Sequence, residues 1–213
     1  MRKTVVLGVC AVIFLAFINA TIAEPKMKFD FEKKELGEGW EVEGDAAVSQ
    51  EKAHAGKGSL KMLPKSLATF TFSDNNKFAN AVFWILESGS KLTHEGNSAN
   101  GPRWGIKNAD DDKLCIELVW RTYCDDSGYC FVSTMESAWS SPWWTSLSRK
   151  KEWCKWEFDF TTDEGRMVNA DDATVKVDME KVFKGGMTGL YFQGMDESAG
   201  PFYVDDIDIK VKK

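Results

Sequence analysis

The sequence predicts an all-β protein, a two-sheet antiparallel β-sandwich, and three observations carry that prediction. Helical periodicity is nearly absent from the 213 residues. Short alternating or apolar runs recur instead: Met27–Phe31, Trp40–Val42, Ser59–Leu63, Leu67–Phe72, Ala81–Leu86, Leu114–Tyr123, Tyr129–Met135, Trp153–Phe160, Thr174–Val177, Leu190–Gln193 and Phe202–Val211. Between them lie turn-forming clusters such as Glu43-Gly44-Asp45, Asp74-Asn75-Asn76 and Asp125-Asp126-Ser127-Gly128. Many short strands joined by such turns describe a sandwich or barrel. With no internal repeat or linker, the expectation is one domain.

In chain order, Arg2 and Lys3 precede a fourteen-residue apolar run, Val5 to Ile18, and then Asn19-Ala20-Thr21-Ile22-Ala23. A basic start, a short apolar centre and small residues at the end predict a secretory signal peptide over residues 1–23, cut after Ala23 or, in competition, after Ala20. The run is shorter than the roughly 20 apolar residues a membrane span needs. Leu7-Gly8-Val9 before Cys10 is a poor lipobox. The expected mature protein is residues 24–213, secreted or extracellular, and periplasmic if the source is a Gram-negative bacterium. Loss of Arg2 and Lys3 takes the net charge from −6 to −8. Such an acidic chain is a poor partner for nucleic acid or anionic lipid, which attract clustered Lys and Arg, and no membrane insertion is expected.

Strand parity separates two faces, because successive side chains alternate. Leu114, Ile116, Leu118 and Trp120 share one face of their strand; Cys115, Glu117, Val119, Arg121 and Tyr123 share the other. Trp156, Phe158 and Phe160 likewise oppose Trp153, Lys155, Glu157 and Asp159. Each strand is apolar towards a core and mixed towards water. Trp120 and Trp156 are therefore expected in the core, and so is Trp84, which lies in an all-apolar strand.

Residues 101–161 hold seven of the nine tryptophans and the four cysteines beyond the signal peptide. Indole rings are core fillers, but they also form platforms for ligands. Sugars present apolar C–H faces to such platforms, and their hydroxyls pair with groups such as Arg, Asp and Asn. Arg103-Trp104, Arg121 with Tyr123, and Trp139, Trp143 and Trp144 in the loop Ala138–Trp144 supply that mixture. These are the candidate ligand-binding residues, and loops carry function more often than strands do. The even cysteine count favours disulfides in an exported chain. Cys124 and Cys130 flank a short hairpin loop, which predicts one bridge, and elimination leaves Cys115 with Cys154. Parity opposes the second bridge, because Cys115 lies opposite the apolar face of its strand and Cys154 lies on that face of its own.

The two ends of the chain carry a resemblance. One end reads Phe29-Asp30-Phe31-Glu32, Leu36-Gly37-Glu38-Gly39-Trp40 and Ala53-His54-Ala55-Gly56-Lys57-Gly58-Ser59-Leu60; the other reads Gly200-Pro201-Phe202-Tyr203-Val204-Asp205-Asp206-Ile207-Asp208-Ile209. This resembles the secreted jelly-roll carbohydrate-binding modules, with a Phe-Glu pair on the first strand and a Tyr-Val-Asp-Asp-Ile pattern on the last. The resemblance implies a jelly roll with a structural calcium where first and last strands meet. Glu32 and Asp205 or Asp206 would be its side-chain ligands, with carbonyls from the His54–Lys57 loop, an all-oxygen set suited to a hard ion. Trp153-Cys154-Lys155-Trp156-Glu157-Phe158 also looks like a strand of laminin-G-like and concanavalin-like sandwiches, which are jelly rolls too.

Catalysis has less support. Glu157-Phe158-Asp159 is similar to the Glu-x-Asp strand of jelly-roll glucanases, but Thr161 and Thr162 stand where a further Glu follows in those enzymes. His54 and His94 are isolated in polar stretches, and Asp110-Asp111-Asp112 reads as a solvated turn. The expected function is a secreted, non-catalytic, polysaccharide- or oligosaccharide-binding β-sandwich. The alternatives are a polysaccharide lyase or glycoside hydrolase on the same fold, and an extracellular adhesion or structural protein.

Overall fold

The computed structural model describes residues 26–72, 78–87, 102–107, 113–119, 127–134, 144–148, 152–159, 164–169, 173–178, 188–194 and 201–212. The signal segment, Arg121, Tyr123, Cys124, Trp139 and Trp143 lie outside them. Fifteen strands follow one another: β1 (Lys26–Phe29), β2 (Trp40–Glu43), β3 (Ala46–Ser49), β4 (Ser59–Met62), β5 (Leu67–Thr71), β6 (Phe78–Glu87), β7 (Arg103–Lys107), β8 (Lys113–Val119), β9 (Ser127–Thr134), β10 (Trp144–Ser148), β11 (Cys154–Asp159), β12 (Glu164–Asn169), β13 (Ala173–Asp178), β14 (Gly189–Gln193) and β15 (Phe202–Lys212). They form two antiparallel sheets. One runs β13-β12-β11-β6-β15-β4-β3, with β1 also paired to β15; the other runs β10-β9-β8-β7-β14-β5-β2. The all-β sandwich expected from the alternating pattern is the fold.

Alternation explains the core. In β6, Ala81, Phe83 and Ile85 are buried while Val82 and Trp84 between them are half-buried. In β11, Trp156 and Phe158 are buried and Glu157 and Asp159 are not, as parity predicts. The facing sheet contributes Phe70, Trp104, Ile106, Leu190 and Phe192 to the same cluster. Its rings meet edge to face: Phe83 with Phe158 and Phe192, and Trp104 with Trp156 at 5.3 Å. That geometry sets the positive edge of one ring against the negative face of another.

β15 runs up the middle of its sheet. One of its edges pairs with β6 along its length, interrupted by a bulge between Asp205 and Asp208. The other edge changes partner: β4 pairs with Phe202–Val204, and β1 pairs with Ile207–Lys210. The bulge shifts parity, so Phe202 and Val204 are buried before it and Ile207, Ile209 and Val211 after it. Asp206 is left-handed there, at φ 48°. Without that extra residue, every later apolar side chain of β15 would face away from the core.

Candidate functional site

Two regions concern the candidate residues: the outward face of the seven-stranded sheet, and the seam where β15 changes partner.

Arg103 and Trp104 belong to strand β7 rather than to a loop, so they point to opposite faces. Trp104 is 2% exposed, packed on Trp156 and Phe202. It is a core residue, which corrects its assignment as a ligand platform: the alternation that turns Arg103 outward turns its neighbour in. Trp84 shows the reverse. Expected in the core, it lies on the outward side of β6, because Phe83 and Ile85 take the inward positions.

Arg103 is half-buried, and the ladders extend a row outward from it. Gln193 pairs with Arg103, Arg103 with Glu117, Glu117 with Phe131, and Phe131 with Trp144. Five adjacent strands therefore carry an amide, a guanidinium, a carboxylate and two aromatic residue types in one line, roughly 19 Å long at the usual strand spacing. On the other side of Gln193 the row continues through Leu67 to Glu43. In the neighbouring row Tyr191 is 0% exposed and Thr69 is buried beside it. Phe131 and Glu117 were not singled out in the sequence. Their signal was available as the parity of β8, but only the register across β9 aligns them with Arg103.

The cysteines separate. Cys115 pairs with Gly105 in the seven-stranded sheet, whereas Cys154 belongs to β11 of the other sheet, so the expected Cys115–Cys154 bridge would have to cross from one sheet to the other.

At the seam, each calcium candidate bonds the segment between β3 and β4. Glu32 Oε1 accepts hydrogen bonds from the backbone N–H groups of Lys57 at 2.6 Å and Gly58 at 3.3 Å. Asp205 Oδ2 accepts from the N–H groups of His54 at 2.8 Å and Ala55 at 3.3 Å, and its Oδ1 from Asp206 N at 2.8 Å. Asp206 Oδ2 lies 2.7 Å from His54 Nδ1. One strap, residues 51–58, thus bridges the first and last strands. Asp205 is the only fully buried carboxylate among the described residues; burial pushes its pKa up, against the lowering by its three N–H donors. Gly56, at φ 66°, passes so close that a Cβ there would collide with the Glu32 carboxylate. Carboxylates are the oxygen donors a hard cation takes, but these three are engaged by backbone N–H groups and by His54, and no group of three or more His, Cys, Asp or Glu side chains that could hold a metal ion occurs among the described residues.

The strap also covers part of the outward side of the eight-stranded sheet. Glu51 accepts from Tyr203 Oη at 3.0 Å and Lys61 Nζ at 2.6 Å. These bonds, Lys61 first, hold the Glu51 carboxyl below its usual range. His54 stacks on Trp84 with ring centroids 3.8 Å apart and 16° between planes. Glu157, which accepts from Asn80 Nδ2 at 3.2 Å, and Asp159 lie on this side too, on the opposite sheet from Arg103.

No protein-family model matches the chain, and no curated protein matches it. Solved structures do. The metal-free form of lectin I-B4 from Griffonia simplicifolia matches with a TM-score of 0.56 and 10% identity, covering 88% of this chain and 100% of the lectin. Cellulose induced protein, Cip1, matches with a TM-score of 0.55 and 15% identity over 86% of this chain and 96% of its own. The Crh5 transglycosylase in complex with NAG matches with a TM-score of 0.56 and 15% identity over 88% and 84%. At these identities the likeness is one of architecture, and the chain has the concanavalin-like jelly-roll fold.

Proposed function

We propose that this is a secreted, non-catalytic glycan-binding protein whose polysaccharide or oligosaccharide ligand crosses the strands of the seven-stranded sheet along the row Gln193–Arg103–Glu117–Phe131–Trp144. The observation that carries the reading is that row, in which three hydrogen-bonding residue types are followed by two aromatic ones over the length of several linked sugars. Aromatic residues supply platforms for C–H faces, and guanidinium and carboxylate groups bind hydroxyls. The lectin and transglycosylase folds are consistent with it. Arg121, Tyr123, Trp139 and Trp143 belong to the same proposal as contributors from the neighbouring loops. A glycan array followed by titration tests the reading: Arg103→Ala and Trp144→Ala should each weaken binding by about thirtyfold, as anchors worth roughly 2 kcal/mol do. Binding unaffected by both variants would move the ligand off this face. Glu157 and Asp159 stand on the opposite side, which leaves the Glu-x-Asp spacing without a role on this row; a reducing-end and unsaturated-product assay tests for lyase or hydrolase activity directly.

The seam, on this proposal, takes a structural calcium through Glu32, Asp205 and Asp206. Oxygen ligands of this kind suit a hard ion, which when bound would tie the first strand to the last. Cys124 with Cys130 remains the proposed disulfide.

A further inference from the structure

We infer that the eight-stranded sheet carries a second binding surface, a basic row whose partner is a linear anionic polysaccharide. The ladders set Lys26 against Lys210, Lys210 against Asn80, Asn80 against Asp159, Asp159 against Arg166 and Arg166 against Lys176. Six adjacent strands, from β1 to β13, thus hold four cations, an amide and a carboxylate in one line. The line is about 24 Å long at the usual strand spacing. Lys26 and Lys210 are exposed. The chain carries a net charge of −6, so its composition alone does not produce such a line. Two pairs, Lys26 with Lys210 and Arg166 with Lys176, set like charges directly opposite, an arrangement that costs stability. The neighbouring carboxylates relieve it in part: Asp208 bonds Lys26 at 2.9 Å, and Asp159 stands opposite Arg166. The next row adds Lys28, Asp208 and Glu157, so across both rows five cations meet three carboxylates. A polyanion laid along the first row would answer the remainder. A 1,4-linked pyranose chain advances about one strand spacing per sugar, which brings an acidic group near each strand. Asn80 and Asp159 supply polar groups for hydroxyls at the centre.

This surface lies on the opposite sheet from the row Gln193–Trp144, and it does not depend on the reading of that row. Calorimetric titration of the mature chain with polygalacturonate and with heparin tests it, with dextran as the neutral control. Counterion release at about 0.7 per cation, the value for a single-stranded polyanion, predicts an affinity that falls about fiftyfold when salt rises fourfold. In the double variant Lys176→Gln/Lys210→Gln the same rise should cost only about sevenfold. Its melting temperature should not fall, because each substitution removes one member of a like-charge pair. Lys176→Arg/Lys210→Arg keeps both charges and should bind as the wild type does. Weaker anionic binding with melting retained, from either the carboxylated or the sulfated polymer, supports the inference, and the two polymers tell carboxylate from sulfate recognition. No anionic polysaccharide bound by the wild type at low salt, binding insensitive to salt, or equal binding by the glutamine variant overturns it. Loss of binding in the arginine variant, or tighter binding of poly(dT) than of either polysaccharide, overturns it as well.

Discussion

At the residue scale, Trp84 and Trp104 show what a strand's parity decides and what composition does not. Trp84 is flanked by Phe83 and Ile85 and Trp104 by Arg103 and Gly105, yet Trp104 is in the core and Trp84 lies against His54 outside it. β6 is apolar at successive positions, so the sequence gives no sign of which set faces in. Trp104→Ala should cost about 3–5 kcal/mol, as loss of a core aromatic does, and denaturant melts would register it as a lowered midpoint. A second residue gives a pH signature. Burial, and then the Glu51 carboxylate, pushes the Tyr203 phenol from 10.0 up to about 12. Between those values the unfolded chain releases a proton that the native chain keeps. The contribution is therefore whole below pH 10 and is lost as pH climbs towards 12. Tyr203→Phe removes that titration, and its melting temperature should fall less steeply than the wild type's across the alkaline range.

At the element scale, the strands with clean alternation were legible, and those with polar or mixed composition were not. β11, β14 and β15 follow from their apolar periods. β3, β7, β10 and β12 do not, because Arg103 and Glu164 fall outside every apolar run and Trp144 lies in the Ala138–Trp144 loop. Missing β7 put Trp104 on the wrong face; missing β10 hid the line from Arg103 to Trp144, which exists only through pairing across β8 and β9. The seam was legible because its motifs are short and polar at fixed offsets. The bulge that turns Asp205 and Asp206 to the same strap was not, since a parity shift appears only once the core is known. Gly56 belongs to this element. A side chain there would be strained at φ 66° and would displace Glu32, so Gly56→Ala should destabilise the fold by at least about 1 kcal/mol. It should also abolish any calcium-induced rise in melting temperature, which differential scanning fluorimetry would show.

For the whole molecule, the sandwich was readable from strand rhythm, whereas the pairing order was not: β14 lies between β5 and β7, and β15 between β6 and its two edge partners. Removing calcium from metal-loaded protein should lower the melting temperature and its return should restore it, since occupancy at a hundred times Kd is worth about 2.7 kcal/mol. Unchanged melting in excess chelator would leave the seam to its hydrogen bonds alone. Non-reducing peptide mapping should recover the Cys124–Cys130 bridge. The position of β15 has one more consequence, for the order of events in synthesis. It is translated after the other fourteen strands, yet it occupies the middle of its sheet and supplies the partner for β1 from the far end of the chain. Until it emerges, β6 lacks one neighbour and β1 lacks its own, so the eight-stranded sheet cannot close on a nascent chain. Folding that waits for so distant a pairing is slow, on the order of milliseconds to seconds. A newly made chain would therefore keep its eight-stranded sheet open, with β1 and one edge of β6 unpaired, for as long as translation lasts.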